Sequence, residues 1–164
     1  FRPKASVRLD FTSGGRPEET RDSARKPHQD ISSKLGSYLP DEYAQETRLR
    51  IDFYRRLANV QSTEEIKELR EELADRFGTL PVEAEALMLE NQIRCLAEEV
   101  GVDRVETRGN LLECRLVNPK RKKEGAVFLR HAGKLPVLNE KDSLLKLKEI
   151  VQFLKLRVHA KEVS

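Results

Sequence analysis

Residues Ser62–Gly78 read STEEIKELREELADRFG, and the reading of this stretch decides how the chain around it folds. Ser62 and Glu65 form an S-x-x-E capping box, which satisfies two orphaned N–H groups at a helix start. Ile66, Leu69, Leu73 and Phe77 recur at helical spacing as one apolar stripe, and Gly78 supplies the stop. The spacing therefore predicts a helix with one buried face. At about 100° per residue, Glu64, Glu68, Glu71, Glu72 and Asp75 fall on an arc of roughly 120° opposite that stripe. Lys67 and Arg70 stand on one flank and Arg76 on the other, with Glu72 and Arg76 paired at i, i+4. Acids in the last turn face the negative end of the helix dipole, at a cost of roughly a few tenths of a kcal/mol each. Two readings account for them: an ordinary solvated face, or a docking ridge for a basic partner.

Working outward, Leu49, Phe53, Leu57 and Val60 predict a preceding helix, with Tyr54 beside the stripe. After Gly78, Pro81 suits the first position of a third helix, whose stripe is Val82, Ala86, Leu89, Ile93, Leu96 and Val100. Gly101 closes it. Beyond it the period changes to two, and VDRVETRGNLLECRLV reads as a hairpin turning at Gly109, with Leu112, Cys114 and Leu116 on one face. AVFLR and KLPVL read as further short strands. Ser143 is placed to cap a last helix on which Leu147, Ile150, Val151 and Leu154 share a face. Upstream, VRLDF (Val7 to Phe11) alternates like a short strand, whereas residues 12–36 hold almost nothing apolar and read as a flexible linker or disordered loop. The expected organisation is a lead-in strand over 1–11, that linker, an α+β domain over 37–158 and a tail over 159–164. The fold class is α+β: a helical layer of three helices, a small mostly antiparallel sheet, then a closing C-terminal helix.

Composition narrows the function. Charged residues make up 36% of the 164 and hydrophobic ones 38%, so a modest core under a charged surface is expected. The net charge of +3 is too small to announce a nucleic-acid binder, which leaves local clusters to decide. No apolar run approaches the ~18 residues of a membrane span, and FRPKASVRLDF has no signal-peptide core, so a cytoplasmic location is expected. The start at Phe1 rather than Met reads as a piece of a longer chain. Cys95 and Cys114 are outside any C-x-x-C pair and read as structural thiols, with no metal site. Gly14-Gly15 lacks the strand–loop–helix setting of a phosphate loop, and His28, His131 and His159 lie away from nucleophile candidates. No catalytic residue is expected. Lys120, Arg121, Lys122 and Lys123 form a basic run that could neutralise nucleic-acid phosphates or be a solvated turn.

YLPDEY, RLRIDFYRRLANVQSTEEIKELREELADRFGTLP and CLAEEVGVDRVE together resemble the C-terminal domain of the bacterial transcription-repair coupling factors (Mfd). The resemblance runs from about Tyr38 to Val117 and continues more weakly to Leu154. It implies a non-catalytic regulatory module at the end of a DNA translocase that engages stalled RNA polymerase and recruits excision repair through UvrA. In such proteins this domain docks on the N-terminal UvrB-like module and masks its UvrA-binding surface, holding the enzyme repressed. The docking acids of the family motif fall on Glu72 and Asp75, within the ridge that also holds Glu64, Glu68, Glu71 and Arg76. The resemblance also implies that ATP and Mg belong to motor domains absent from this chain. The alternative is an accessory nucleic-acid-binding domain using Lys120 to Lys123.

Overall fold

The computed structural model describes residues 3–14, 34–117 and 125–163. The chain divides into two units, Phe11–Gln92 and a second made of Phe1–Asp10 with Ile93–Ser164.

The first unit holds helices α1 (Thr47–Ala58) and α2 (Thr63–Phe77), strands β2 (Thr12–Ser13) and β3 (Leu35–Gly36), and the first part of α3 (Val82–Val100). Its core is the two expected stripes: Phe53 and Leu57 from α1, Val60 just beyond its end, and Ile66, Leu69 and Leu73 from α2 are all buried. Phe77 meets Phe53 and Tyr43 edge-on, with ring centroids 6.2 and 5.7 Å apart. Leu49 is only half-buried, and the neighbouring Arg50 is buried instead. Its guanidinium donates to the carbonyls of Ala44 and Gln45 and to Thr47 Oγ1, and lies 3.4 Å from Asp41. One arginine thus organises the loop before α1.

Both ends of the stretch read as a linker are ordered. Thr12–Ser13 pairs in parallel with Leu35–Gly36, and the Ser37 amide donates to Ser13. Four residues need only ladder bonds and neighbours to be fixed, which an apolar-pattern reading does not register. Ser37 Oγ also donates to Glu90 of α3 at 3.0 Å. Burial pushes the Glu90 carboxyl above its usual range, against the opposing pull of the Thr12 and Ser37 hydroxyls. The middle of that stretch, with His28, lies outside the described residues.

Helix α3 begins one residue later than expected: the Pro81 carbonyl accepts from Glu85 N, so Pro81 precedes the first helical residue. Val82 is 45% exposed, while Ala84, Leu87, Met88, Cys95 and Ala97 join the buried set. A single stripe is too narrow for this helix, which buries more than one face.

The second unit is built on a mixed sheet in the order β1-β4-β5-β6. Strand β1 (Ser6–Arg8), shorter than the expected Val7–Phe11, runs parallel to β4 (Val102–Arg108). Strands β4 and β5 (Leu111–Leu116) form the expected hairpin, and Gly109 takes φ +58° in its turn. Asp10 clamps that turn: its carboxylate accepts from Thr107 Oγ1 at 2.8 Å and from Gly109 N at 2.7 Å. AVFLR supplies β6 (Val127–Phe128), antiparallel to β5, whereas KLPVL contributes only isolated bridges, from Lys134 to His131 and from Val137 to Leu111. Helix α4 (Ser143–Val163) buries Leu147, Ile150, Val151 and Leu154 as expected. Its cap is Asp142, whose carboxylate accepts from Leu145 N, rather than Ser143. It also runs through residues read as a tail, because HAKEV holds no glycine or proline to stop it. Cys114 and Cys95 are buried and in no disulfide, and burial pushes the Cys114 thiol up to about 12.

Candidate docking surface on the second helix

Helix α2 starts where its capping signal places it: Glu65 N donates to Ser62 Oγ at 3.2 Å. The helix closes at Gly78, whose φ of +90° suits glycine. The Tyr43 hydroxyl lies 2.7 Å from the Gly78 carbonyl and 3.2 Å from that of Leu73, so a donor serves the negative end of the helix. That contact helps α2 tolerate acids in its final turn.

With the apolar stripe buried, Glu64, Glu68, Glu71 and Asp75 are exposed along the opposite side. Among the described residues none of these four has an ion-pair partner. Arg70, on one flank, is drawn to Glu85 of α3.

Glu72 behaves differently from the rest of the expected ridge. It is half-buried and turned toward α1, where Arg56 grips it with a fork of two bonds: Nη1 to Oε2 at 2.7 Å and Nη2 to Oε1 at 2.8 Å. Arg76 Nη2 lies 3.8 Å from the same Oε2, and Asp52 lies 3.8 Å from Arg56. Both guanidiniums sit over the Phe53 ring, 5.2 and 6.0 Å from its centroid. The hydrogen bond from Arg56 holds the Glu72 carboxyl below the usual carboxylate range, with the Arg56 and Arg76 charges adding to it. The sequence reading groups Glu72 with the rest of the acidic arc; α1 lies on its side and claims it. The expected i, i+4 pair with Arg76 is present but secondary.

Arg56 and Arg50 are the residues that sequence reasoning missed. Both lie three positions from Phe53, on the edges of the apolar stripe of α1, and that spacing was the available signal. A long cation there must reach along the protein surface or into it. The basic run Lys120, Arg121, Lys122 and Lys123 lies outside the described residues. His131 is exposed, its amide donating to the Lys134 carbonyl, and His159 is exposed on α4. Among the described residues there is no cluster of His, Cys, Asp or Glu able to hold a metal, and no helix long and apolar enough to cross a membrane.

An α+β domain with four helices among its described residues and an acidic helix ridge is the class of protein these features define. The sequence matches the TRCF domain family over residues 34–126, more than half of the chain, and the chain belongs to that family. It is 31% identical to the transcription-repair-coupling factor of Haemophilus influenzae over 80% of this chain and 11% of that protein. The corresponding factor of Bacillus subtilis is 33% identical over 54% of this chain and 8% of its own length, and that of Escherichia coli 29% over 64% and 9%. The chain thus spans about a tenth of the length of the curated relatives it matches. A crystal structure of a C-terminal domain of transcription-repair coupling factor superposes with a TM-score of 0.58, covering 94% of this chain and 96% of that one. At 20% identity, that likeness establishes the fold alone.

Proposed function

We propose that this chain is the regulatory docking module of a transcription-repair coupling factor acting in DNA repair in the cytoplasm. It is non-catalytic and docks on the N-terminal UvrB-like module of the same polypeptide, masking the UvrA-binding surface until the enzyme is engaged. ATP, Mg, DNA and RNA polymerase belong to other domains of that parent protein. The observation that carries this reading is the exposed row Glu64, Glu68, Glu71 and Asp75, with no ion-pair partner among the described residues. Unmatched charge along a rigid helix favours a basic partner and fixes its orientation. Membership of the TRCF domain family supplies the context.

The test is calorimetry of this chain with the UvrB-like module at two salt concentrations. Glu71→Lys/Asp75→Lys is the chosen variant, because neither residue has an ion pair to lose among the described residues. We expect salt-sensitive binding that the double reversal weakens at least ~10-fold. Binding indifferent to salt and to the reversal would overturn the ridge as the docking surface. Duplex DNA in place of the module tests the Lys120–Lys123 alternative, which predicts binding lost on reversal of those cations.

A further inference from the structure

We propose that Arg56 is a resident competitor for the docking partner, and that docking exchanges one guanidinium for another on Glu72. This rests on the docking function proposed above. A carboxylate offers about four acceptor positions. Arg56 occupies one on each oxygen of Glu72, and Arg76 crowds Oε2 from 3.8 Å. Asp52, Arg56, Glu72 and Arg76 form a connected cluster of two anions and two cations, so Glu72 offers a basic partner no net charge. Asp75, three residues on, has no such neighbours among the described residues and offers its full charge.

The geometry also shows how Arg56 leaves. Its side chain is 41% exposed and its guanidinium already lies over the Phe53 ring, so release from Glu72 strands no buried cation. Water and the ring face receive it. The incoming group best suited to the vacated carboxylate is an arginine, whose planar fork reproduces both bonds; a lysine supplies only a point charge. The partner surface is accordingly one that presents arginine near the C-terminal turns of α2. An internal competitor keeps such a contact weak enough to open, which suits a latch.

The experiment measures binding of the chain to the UvrB-like module at low salt. Arg56→Gln removes the competitor and should tighten binding about twofold to fivefold, the upper part of what an exposed ion pair is worth. Arg55→Gln, the same charge change at the next residue, should alter it less than about twofold. Placed on Glu72→Gln, the Arg56 substitution should have no effect, which isolates the pair from general electrostatics. Arg56→Lys keeps the charge but loses the fork, and carries the test if Arg56→Gln fails to fold. Unchanged or weaker binding for Arg56→Gln, while Glu71→Lys/Asp75→Lys still disrupts, would overturn the exchange and leave the docking function standing. Absence of any binding by the unmodified chain would sink the docking function and the exchange with it.

Discussion

Two faces of this molecule carry rows of charge, and they differ in how those charges are already used. On the hairpin, the register sets Arg104 opposite Arg115 and Glu106 opposite Glu113, two like-charged pairs that repel across the ladder. The sheet resolves the conflict internally. Arg115 forks onto Asp103 with two bonds of 2.8 Å, Arg104 reaches Glu106 at 3.5 Å, and Arg108 reaches Glu113 at 3.7 Å. The register shifts between Val102 and Arg104, so Asp103 sits at an irregularity that lets its carboxylate meet Arg115. On the outer ridge of helix α2, Glu72 is matched, and Glu64, Glu68, Glu71 and Asp75 have no ion-pair partner among the described residues. A row of charge points to a partner only where the chain has failed to supply its own.

The largest effect available concerns the side of α2 that the ridge does not occupy. Leu73 is fully buried, so Leu73→Ala should cost about 2–5 kcal/mol in chemical denaturation. A loss under ~1 kcal/mol would mean the helix is rotated from the phase described, and the contrast between stripe and ridge would collapse.

A smaller effect tests the matched face. Asp103→Asn removes the forked partner of Arg115 and leaves that cation facing Arg104 directly, so a loss of about 1 kcal/mol is expected at neutral pH. The loss should depend on pH. The Arg115 hydrogen bond depresses the Asp103 carboxyl, so the folded state binds its proton less readily than the unfolded chain. The stabilisation is therefore present above the unfolded carboxylate range and disappears as pH falls through the lower folded value. Wild type and Asp103→Asn should converge in acid. A gap that persists there would assign the loss to something other than charge pairing.

How much of this was legible beforehand follows from where the determining contacts lie. The cap at Ser62, the stripe through Leu73, the Gly109 turn and the buried face of α4 are set by residues within a few positions of each other, and period alone finds them. Glu72 was placed correctly on its helix and misjudged in its environment, because Arg56 is sixteen residues away in sequence. The parallel pairing of Thr12–Ser13 with Leu35–Gly36 was invisible for a related reason: two-residue strands have no period to detect. The wider burial of α3 was missed because alanines off the main stripe read as neutral, and Ala84 and Ala97 are fully buried.

The smallest effect is the one that most sharpens the contrast between the faces. Asp75 is exposed and unpaired among the described residues, so Asp75→Ala should change stability by less than ~0.5 kcal/mol. Relief of its unfavourable place at the helix C-terminus even favours a slight gain. Asp103→Asn, one carboxylate removed from the other face, should cost more stability and leave docking untouched. Asp75→Ala should do the reverse, weakening binding to the UvrB-like module while the thermal midpoint holds. An acid kept where it does nothing for the fold, and at the helix end that disfavours it, is then explained by what it meets outside the domain. If Asp75→Ala instead destabilises the chain as much as Asp103→Asn does, the ridge is another internally matched surface and the distinction between the two faces fails.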